Sequence, residues 1–274
     1  MKGRMMRKRF AAVPAYLCEL LGTALVMFHG LGWACWLFGV GAPILVWVPN
    51  TALRLCFEAV CFGAGALVVV YSPLGQRSGG HLNPSVTLGF WLLNKISTRD
   101  ALAYIFMQIL GALVGAGLVL GLWPRLARSI RLGATSLGPG VPLVLGFGLE
   151  AGMTFLLMLT ILVLVNSRRM RWAAVMAELL IILLTINFSG FTGPSLNPAR
   201  SLAPAVLIMF WQNQWIYWLG PPLGAVLATL LYRQGIIGTG KSYCSKLYHT
   251  SAFPCHHARC GYSNSADIDD FSRS

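Results

Sequence analysis

Two Asn-Pro pairs are the residues of this sequence whose type and placement most clearly indicate chemistry. They belong to the triplets Asn83-Pro84-Ser85 and Asn197-Pro198-Ala199. Each pair opens an apolar segment, about 84–93 and 198–210, that is too short to cross a bilayer. Because asparagine caps a helix well and proline suits the first turn, each segment is predicted to be a half-helix. A helix N-terminus carries about half a positive charge, so each would present donors and positive potential to a solute.

Charged side chains inside apolar stretches are the second group of candidates. Glu19, Glu150 and Glu178 lie in apolar segments, where an unpaired charge is costly, and Arg200 directly follows the second triplet. A lone Arg near a membrane face normally snorkels to the surface, and that reading competes with a functional one. Glu178 is either a functional carboxylate or a residue near a membrane end or a subunit contact.

The sequence contains no catalytic constellation: no phosphate-binding loop, no clustered carboxylates and no nucleophile elbow. We therefore predict that the protein is not an enzyme and needs no cofactor. Cysteine and histidine residues gather in the polar C-terminal part, but their spacing matches no common zinc pattern, so no metal site is predicted. These residues are Cys244, His249, Cys255, His256, His257 and Cys260.

The elements that must position these residues are membrane spans. Hydrophobic residues make up 56% of the 274 residues and charged residues 11%, against about 25% in a soluble domain. Six stretches are long and apolar enough to span a bilayer. They cover about 12–40, 51–72, 100–123, 141–166, 172–190 and 213–232.

The distribution of positive charge predicts the topology. The net charge is +13, but Lys and Arg flank apolar segments without interleaved aromatic residues, which argues against a nucleic-acid partner. Most of the 21 Lys and Arg residues fall on the side of the N-terminus, so both termini are predicted to be cytoplasmic. The cluster Arg125, Arg128 and Arg131 runs against this rule. The apolar run over 11–40 is too long for a signal peptide and is predicted to be a retained span.

The chain contains a degenerate internal repeat. CELLGTALVMF, GGHLNPSVTLG and MQILGALVGAG in the first half correspond to GLEAGMTFLLM, GPSLNPARSLA and GPPLGAVLATL in the second. Because each half holds three spans, the second half enters the membrane from the opposite side. The two half-helices should then meet by their N-termini near the midplane. The predicted fold is an all-α membrane protein of six transmembrane helices and two half-helices.

The segments HLNPSVTLG and SLNPARSLAPAV resemble the two signature loops of the aquaporin, or major intrinsic protein, family, with Ser85 in place of the usual Ala. The resemblance extends from Tyr16 to Tyr232. It implies a passive channel in a multi-pass cell-membrane protein, with one pore per subunit in a homotetramer. The chain is therefore predicted to consist of three parts: a basic cytoplasmic N-terminus over 1–10, a channel domain over 11–232 and a polar, poorly ordered cytoplasmic tail over 233–274. The two repeats cover about 11–123 and 141–232.

The resemblance also implies roles for individual residues. Glu19 and Glu150 would accept hydrogen bonds from the backbone of the signature loops, and His81 would brace the first loop. Arg200 stands where the family has its selectivity-filter arginine. The other filter positions carried over by local matching are Phe62, Thr185 and Pro194.

The residues that distinguish solute classes give a divided signal. Ser201, Ala205 and Tyr217-Trp218 are similar to water-conducting members, whereas Thr185 replaces the histidine that narrows their filter. We expect a channel for water that excludes protons and ions, with ammonia, hydrogen peroxide and urea as further candidates. The alternatives are a glycerol facilitator, a secondary transporter with a carboxylate such as Glu178 in its pore, and a structural membrane protein with a closed pore.

Overall fold

The computed structural model describes residues 2–238, 240–250, 252, 253, 255, 260 and 261, and its side chains from Pro14 onward. Regular structure within these residues is helical throughout. The helices, in chain order, are α1 (Lys2–Phe38), α2 (Ile44–Trp47), α3 (Thr51–Tyr71), α4 (Pro73–Ser78), α5 (Pro84–Leu92), α6 (Thr98–Leu122), α7 (Pro124–Ser129), α8 (Leu143–Val165), α9 (Ala173–Thr192), α10 (Pro198–Leu207) and α11 (Trp215–Arg233). Short 3-10 turns lie at Arg131–Gly133 and Met170–Trp172.

Six of these helices are long and apolar enough to cross a membrane, which confirms the predicted number of spans. They are α1, α3, α6, α8, α9 and α11, and α1 also extends into the basic segment as far as Lys2. Capping residues set two of the other starts: Asn50 accepts a hydrogen bond from the N–H of Leu53, and Ser97 from that of Asp100. Large apolar side chains such as Val144 lie exposed on the outer faces, where lipid would solvate them.

The internal repeat is visible in how the helices pack. The first span α1 packs on α6, and in the second half α8 packs on α11 in the same way. A glycine permits each close approach, because a Cβ on Gly111 would lie 2.3 Å from the carbonyl oxygen of Leu20, and one on Gly224 would lie 2.0 Å from that of Ala151. The second spans, α3 and α9, pack against each other and join the two halves.

The short segments form half-helices that begin where the sequence predicts. Asn83 caps α5 and Asn197 caps α10, and a proline follows each cap. Both half-helices pack against α6 and α11, and they contact each other. Each is therefore enclosed by spans of both repeats, which satisfies the requirement that irregular backbone at membrane depth be buried in protein.

Part of the tail differs from the expectation of a poorly ordered segment. Ser245, Lys246 and Leu247 are buried, and the N–H of Tyr243 donates to the side-chain oxygen of Asn166 at 2.8 Å. The tail is polar on average, but in this short stretch Leu247 is buried and its N–H donates to the carbonyl oxygen of Gly79, in the loop before α5. Average composition does not reveal such a local match.

Candidate transport pore

A cavity of about 260 Å³ passes between the two Asn-Pro loops. Leu55, near the start of α3, and Ser189, near the end of α9, line one end, which we call the filter-side end. Val70, near the end of α3, and Ala177, near the start of α9, line the other, which we call the tail-side end. The cavity therefore follows the two central spans along much of their length.

The two capping asparagines meet across the middle of the cavity. The side-chain nitrogen of Asn83 donates to the carbonyl oxygen of Leu196 at 2.8 Å, and that of Asn197 donates to Leu82 at 2.9 Å. Each side-chain oxygen accepts from the first turn of its own half-helix. An amide nitrogen carries two hydrogens, so each asparagine, which also lines the cavity, retains one N–H that no bond to the other loop uses.

Two buried carboxylates hold the loops in a strained conformation. Glu19 accepts hydrogen bonds from the N–H groups of His81 at 3.1 Å and Leu82 at 2.8 Å. Glu150 accepts the equivalent pair before the second Asn-Pro pair, at 3.0 and 3.1 Å. Leu82 and Leu196 have φ of 50° and 54°, which L-residues seldom adopt. The hydrogen bonds offset this strain and keep the adjacent carbonyl groups turned inward.

His81 connects the first loop to the tail. Its Nδ1 lies 3.0 Å from the hydroxyl of Thr87, and its Nε2 lies 2.6 Å from the carbonyl oxygen of Ser245. The ring stacks on Phe90 at 5.0 Å between centroids. The imidazole therefore contacts the half-helix behind the loop as well as the C-terminal segment, and the second contact lies beyond what the sequence predicts.

The four residues carried over as filter positions surround the cavity together. Phe62, Thr185, Pro194 and Arg200 all line it. The Arg200 guanidinium lies over the ring of Phe62, 5.9 Å from its centroid, and its Nη1 donates to the carbonyl oxygen of Gly133 at 2.8 Å. Arg200 is thus aimed into the cavity and is not extended toward a lipid surface.

The connection between α6 and α8 completes the filter-side end. Gly133, Ala134 and Thr135 line the cavity, and the Thr135 hydroxyl donates to Ser201 at 2.9 Å. Ser201 in turn lies 2.6 Å from the hydroxyl of Ser195 in the second loop. Sequence reasoning missed this segment, because neither its composition nor its spacing distinguishes it from an ordinary external loop.

Two further carboxylates line the cavity. Glu178 lies on the wall near the start of α9, and Glu58 lies on α3 one helical turn before Phe62. Glu58 was absent from the predicted site, although a carboxylate in an apolar span spaced four residues from a candidate filter residue was a usable signal.

The structure also brings together four thiol and imidazole groups for which the sequence predicted no metal site. The ligand atoms of Cys244, His249, Cys255 and Cys260 all lie within 4.8 Å of one another. His256 and His257 lie outside the described residues. All seven cysteines are described, and none is among the residues that line the cavity.

Comparison with known proteins agrees with this geometry. The chain is 36% identical over 236 residues to a lens fiber major intrinsic protein of Gallus gallus, covering 85% of each chain. It is 36% identical over 228 residues to aquaporin-5 of Homo sapiens, covering 81% of this chain and 80% of that one. The solved aquaglyceroporin of Plasmodium falciparum superposes with a TM-score of 0.70 at 28% identity, over 82% of this chain and 97% of that chain.

A family model described as major intrinsic protein matches residues 6–232, which include both Asn-Pro loops and, except for the final Arg233, all six spans. The match and the cavity lead to one assignment. This chain is a member of the major intrinsic protein family of membrane channels, whose members are passive channels and not enzymes.

Proposed function

We propose that the protein is a passive water channel that also passes small neutral solutes and excludes protons and other ions. The observation that carries the proposal is the single cavity lined by both capping asparagines and by Arg200. The asparagines offer hydrogen-bond donors in the middle of a largely apolar passage, and Arg200 offers them near the filter-side end, so water can exchange partners without leaving the pore.

Exclusion of protons and other cations follows from the charges around this cavity. The N-termini of α5 and α10 point at its centre, each with about half a positive charge. The guanidinium of Arg200 adds a full positive charge near the filter-side end. A cation entering from that end loses hydration and meets positive potential, whereas a neutral molecule loses only hydrogen bonds that the pore replaces.

The solute range depends on the filter residues. Thr185 offers a hydroxyl with less bulk than an imidazole, and Phe62 and Pro194 provide apolar walls. We therefore include ammonia, hydrogen peroxide and urea as permeants. The buried Ser201 hydroxyl, bonded to Thr135, holds the filter-side loop inward, which favours a water-type pore over a glycerol facilitator.

A secondary transporter is the second candidate, because Glu58 and Glu178 both line the cavity. A transporter would use such carboxylates to bind a coupling ion. The two classes differ in whether a solute accumulates against its own gradient.

The membrane arrangement forms part of the same proposal. The Lys and Arg distribution supports cytoplasmic termini at the cell membrane, with residues 11–232 as the channel domain and 1–10 and 233–274 as cytoplasmic extensions. Exposed apolar faces on several spans suit contact with lipid and with further copies in a homotetramer.

The test is osmotic shrinkage of proteoliposomes, followed by light scattering, with a pH-sensitive dye inside the vesicles. Because Leu247 lines the tail-side end, the protein should be assayed both unchanged and as Leu247→Ala. We expect water flux above that of empty vesicles without a proton current. Water flux equal to that of empty vesicles in both proteins, or a proton current, would contradict the proposal.

A further inference from the structure

Four side chains of the tail form a compact group outside the pore. The Cys244 sulfur lies 3.4 Å from the sulfurs of both Cys255 and Cys260, and the Cys260 sulfur lies 3.5 Å from Nε2 of His249. Cys244 and His249 are buried, and the other two residues are half-buried. The group is thus shielded by protein, as a closed structural site requires.

These distances suit a tetrahedral metal ion. Zinc binds thiolate sulfur at about 2.3 Å and imidazole nitrogen at about 2.0–2.1 Å, which places neighbouring ligand atoms of a tetrahedron about 3.5–3.8 Å apart. The sulfur–nitrogen separation of 3.5 Å matches this range, and the sulfur–sulfur separations of 3.4 Å need only a small outward shift to reach it. All the ligand atoms fall within 4.8 Å of one another. Three thiolates and one imidazole are a ligand set that structural zinc sites use.

The local charge also favours thiolates and a metal ion. Lys246 is buried, and its ammonium donates to the carbonyl oxygens of Gln76 at 2.6 Å and Phe253 at 2.8 Å. Lys246 follows Cys244 by two residues, so its ammonium belongs to the same buried part of the tail as the cluster. A buried ammonium needs compensating negative charge, and three thiolates around a divalent ion carry a net charge of minus one.

The segment between the first two ligands reaches the tail-side end of the pore. Leu247, between Cys244 and His249, lines the tail-side end of the cavity, and its N–H donates to the carbonyl oxygen of Gly79 at 3.0 Å. The carbonyl of Ser245, in the same segment, bonds to the His81 imidazole. A metal ion that fixes both ends of this segment therefore fixes the side chain at the pore mouth.

We propose that Cys244, His249, Cys255 and Cys260 bind one zinc ion, and that the bound zinc holds Leu247 in the tail-side end of the pore and restricts flow. The second half of this statement rests on the proposed function as a channel. When the zinc is removed, the segment from Cys244 to His249 loses its fixed ends and Leu247 leaves the cavity.

The metal site is tested on the purified full-length protein. Elemental analysis should give about one zinc per chain, and cobalt exchanged for zinc should give the visible bands of a tetrahedral site with thiolate-to-cobalt charge transfer. Cys260→Ser and His249→Asn should lose both signals. Cys56→Ser, which removes a half-buried thiol of α3 outside the group, should keep them.

The gate is tested by water flux in proteoliposomes with a membrane-permeant zinc chelator. We expect the chelator to raise the flux several-fold, zinc to reverse this, and Cys260→Ser to be open without treatment. Leu247→Ala should give high water flux without the chelator while still holding zinc. This variant therefore distinguishes the effect of the metal from the effect of the side chain that the metal positions. Cys56→Ser should respond to the chelator as the unchanged protein does.

Three results would overturn the inference. They are a protein without zinc or cobalt signals, a disulfide among the three cysteines in place of the metal, and a flux that zinc removal leaves unchanged although the pore conducts. A failure of the channel proposal looks different. In that case the zinc and cobalt signals would be present, but neither chelation nor Leu247→Ala would give water flux.

Discussion

The guanidinium of Arg200 lies over the aromatic ring of Phe62, with 5.9 Å between its central carbon and the ring centroid. Phe62 belongs to the first repeat and Arg200 to the second, so the contact joins the two halves at the filter-side end. The ring face carries partial negative charge and holds the cation beside the passage. This relationship is the basis of the first prediction.

Arg200→Val should leave the fold intact and make the pore conduct protons or small cations, because the positive charge at the filter-side end is lost. The measurement is ionic current across planar bilayers, together with dye-reported proton flux in vesicles. Arg131→Ala is the matched control, since Arg131 is exposed and packs over Phe210 outside the cavity. Equal ion exclusion in Arg200→Val and the control would refute the filter role of Arg200.

The carboxylates in the pore lead to a prediction about mechanism. If the protein is a channel, Glu58→Gln and Glu178→Gln should still let a labelled neutral solute equilibrate across the membrane. Neither variant, nor the unchanged protein, should concentrate this solute inside the vesicles when a pH or sodium gradient is imposed. Uptake of labelled urea into vesicles measures this. Accumulation by the unchanged protein that is lost in either variant would establish a coupled transporter.

Much of this architecture can be read from the sequence. The six spans and two half-helices lie close to the predicted boundaries, because apolar length and Asn-Pro capping are local signals. The equivalence of Glu19 and Glu150 was visible in the repeat. The tail's packing through Ser245 and Leu247 was not, since it depends on contacts between residues more than 150 positions apart in the chain.

The other residues that sequence reasoning missed or misjudged also depend on how the chain folds and not on a local pattern. Thr135 reaches Ser201 only because the connection after α7 folds back into the cavity mouth, and no periodic pattern encodes that path. The ligand spacing of the tail resembles no common motif, and the four groups meet only through the folded backbone. The four ligands are close in sequence, but a pattern search recognises only known spacings, and theirs matches none of them.

The loop braces should contribute measurably to stability. Glu150→Gln replaces one of two acceptor oxygens by a donor, so one buried N–H of the second loop loses its partner. We expect a loss of about 2 kcal/mol, seen as a lower thermal midpoint in detergent, together with reduced water flux. Glu178→Gln makes the same chemical change on the cavity wall without touching the loop bonds and should shift the midpoint much less. Equal shifts would argue against the brace.

Mercurial block gives a test of which residues line the narrow part of the pore. No cysteine lines the cavity, so a membrane-impermeant organomercurial applied to the outer side should leave water flux unchanged. Pro194→Cys places a thiol on the cavity wall and should create block that a reducing agent reverses. Strong block of the unchanged protein would implicate Cys61, which adjoins Phe62. A Pro194→Cys protein without block would remove position 194 from the pore.

Position 185 decides the solute range. Thr185 lines the cavity from α9, which packs against the span that carries Phe62, and its side chain has less bulk than an imidazole. Thr185→His should therefore narrow the passage and lower the permeability to urea while leaving that to water largely unchanged, because water needs less width. Stopped-flow scattering measures both solutes in the same vesicle preparation. Thr160→His, on α8 away from the cavity lining, is the control for the general effect of adding an imidazole to a span. A parallel fall in both permeabilities, or no change in either, would show that position 185 does not set the constriction, and the assignment of the four filter residues would then be wrong.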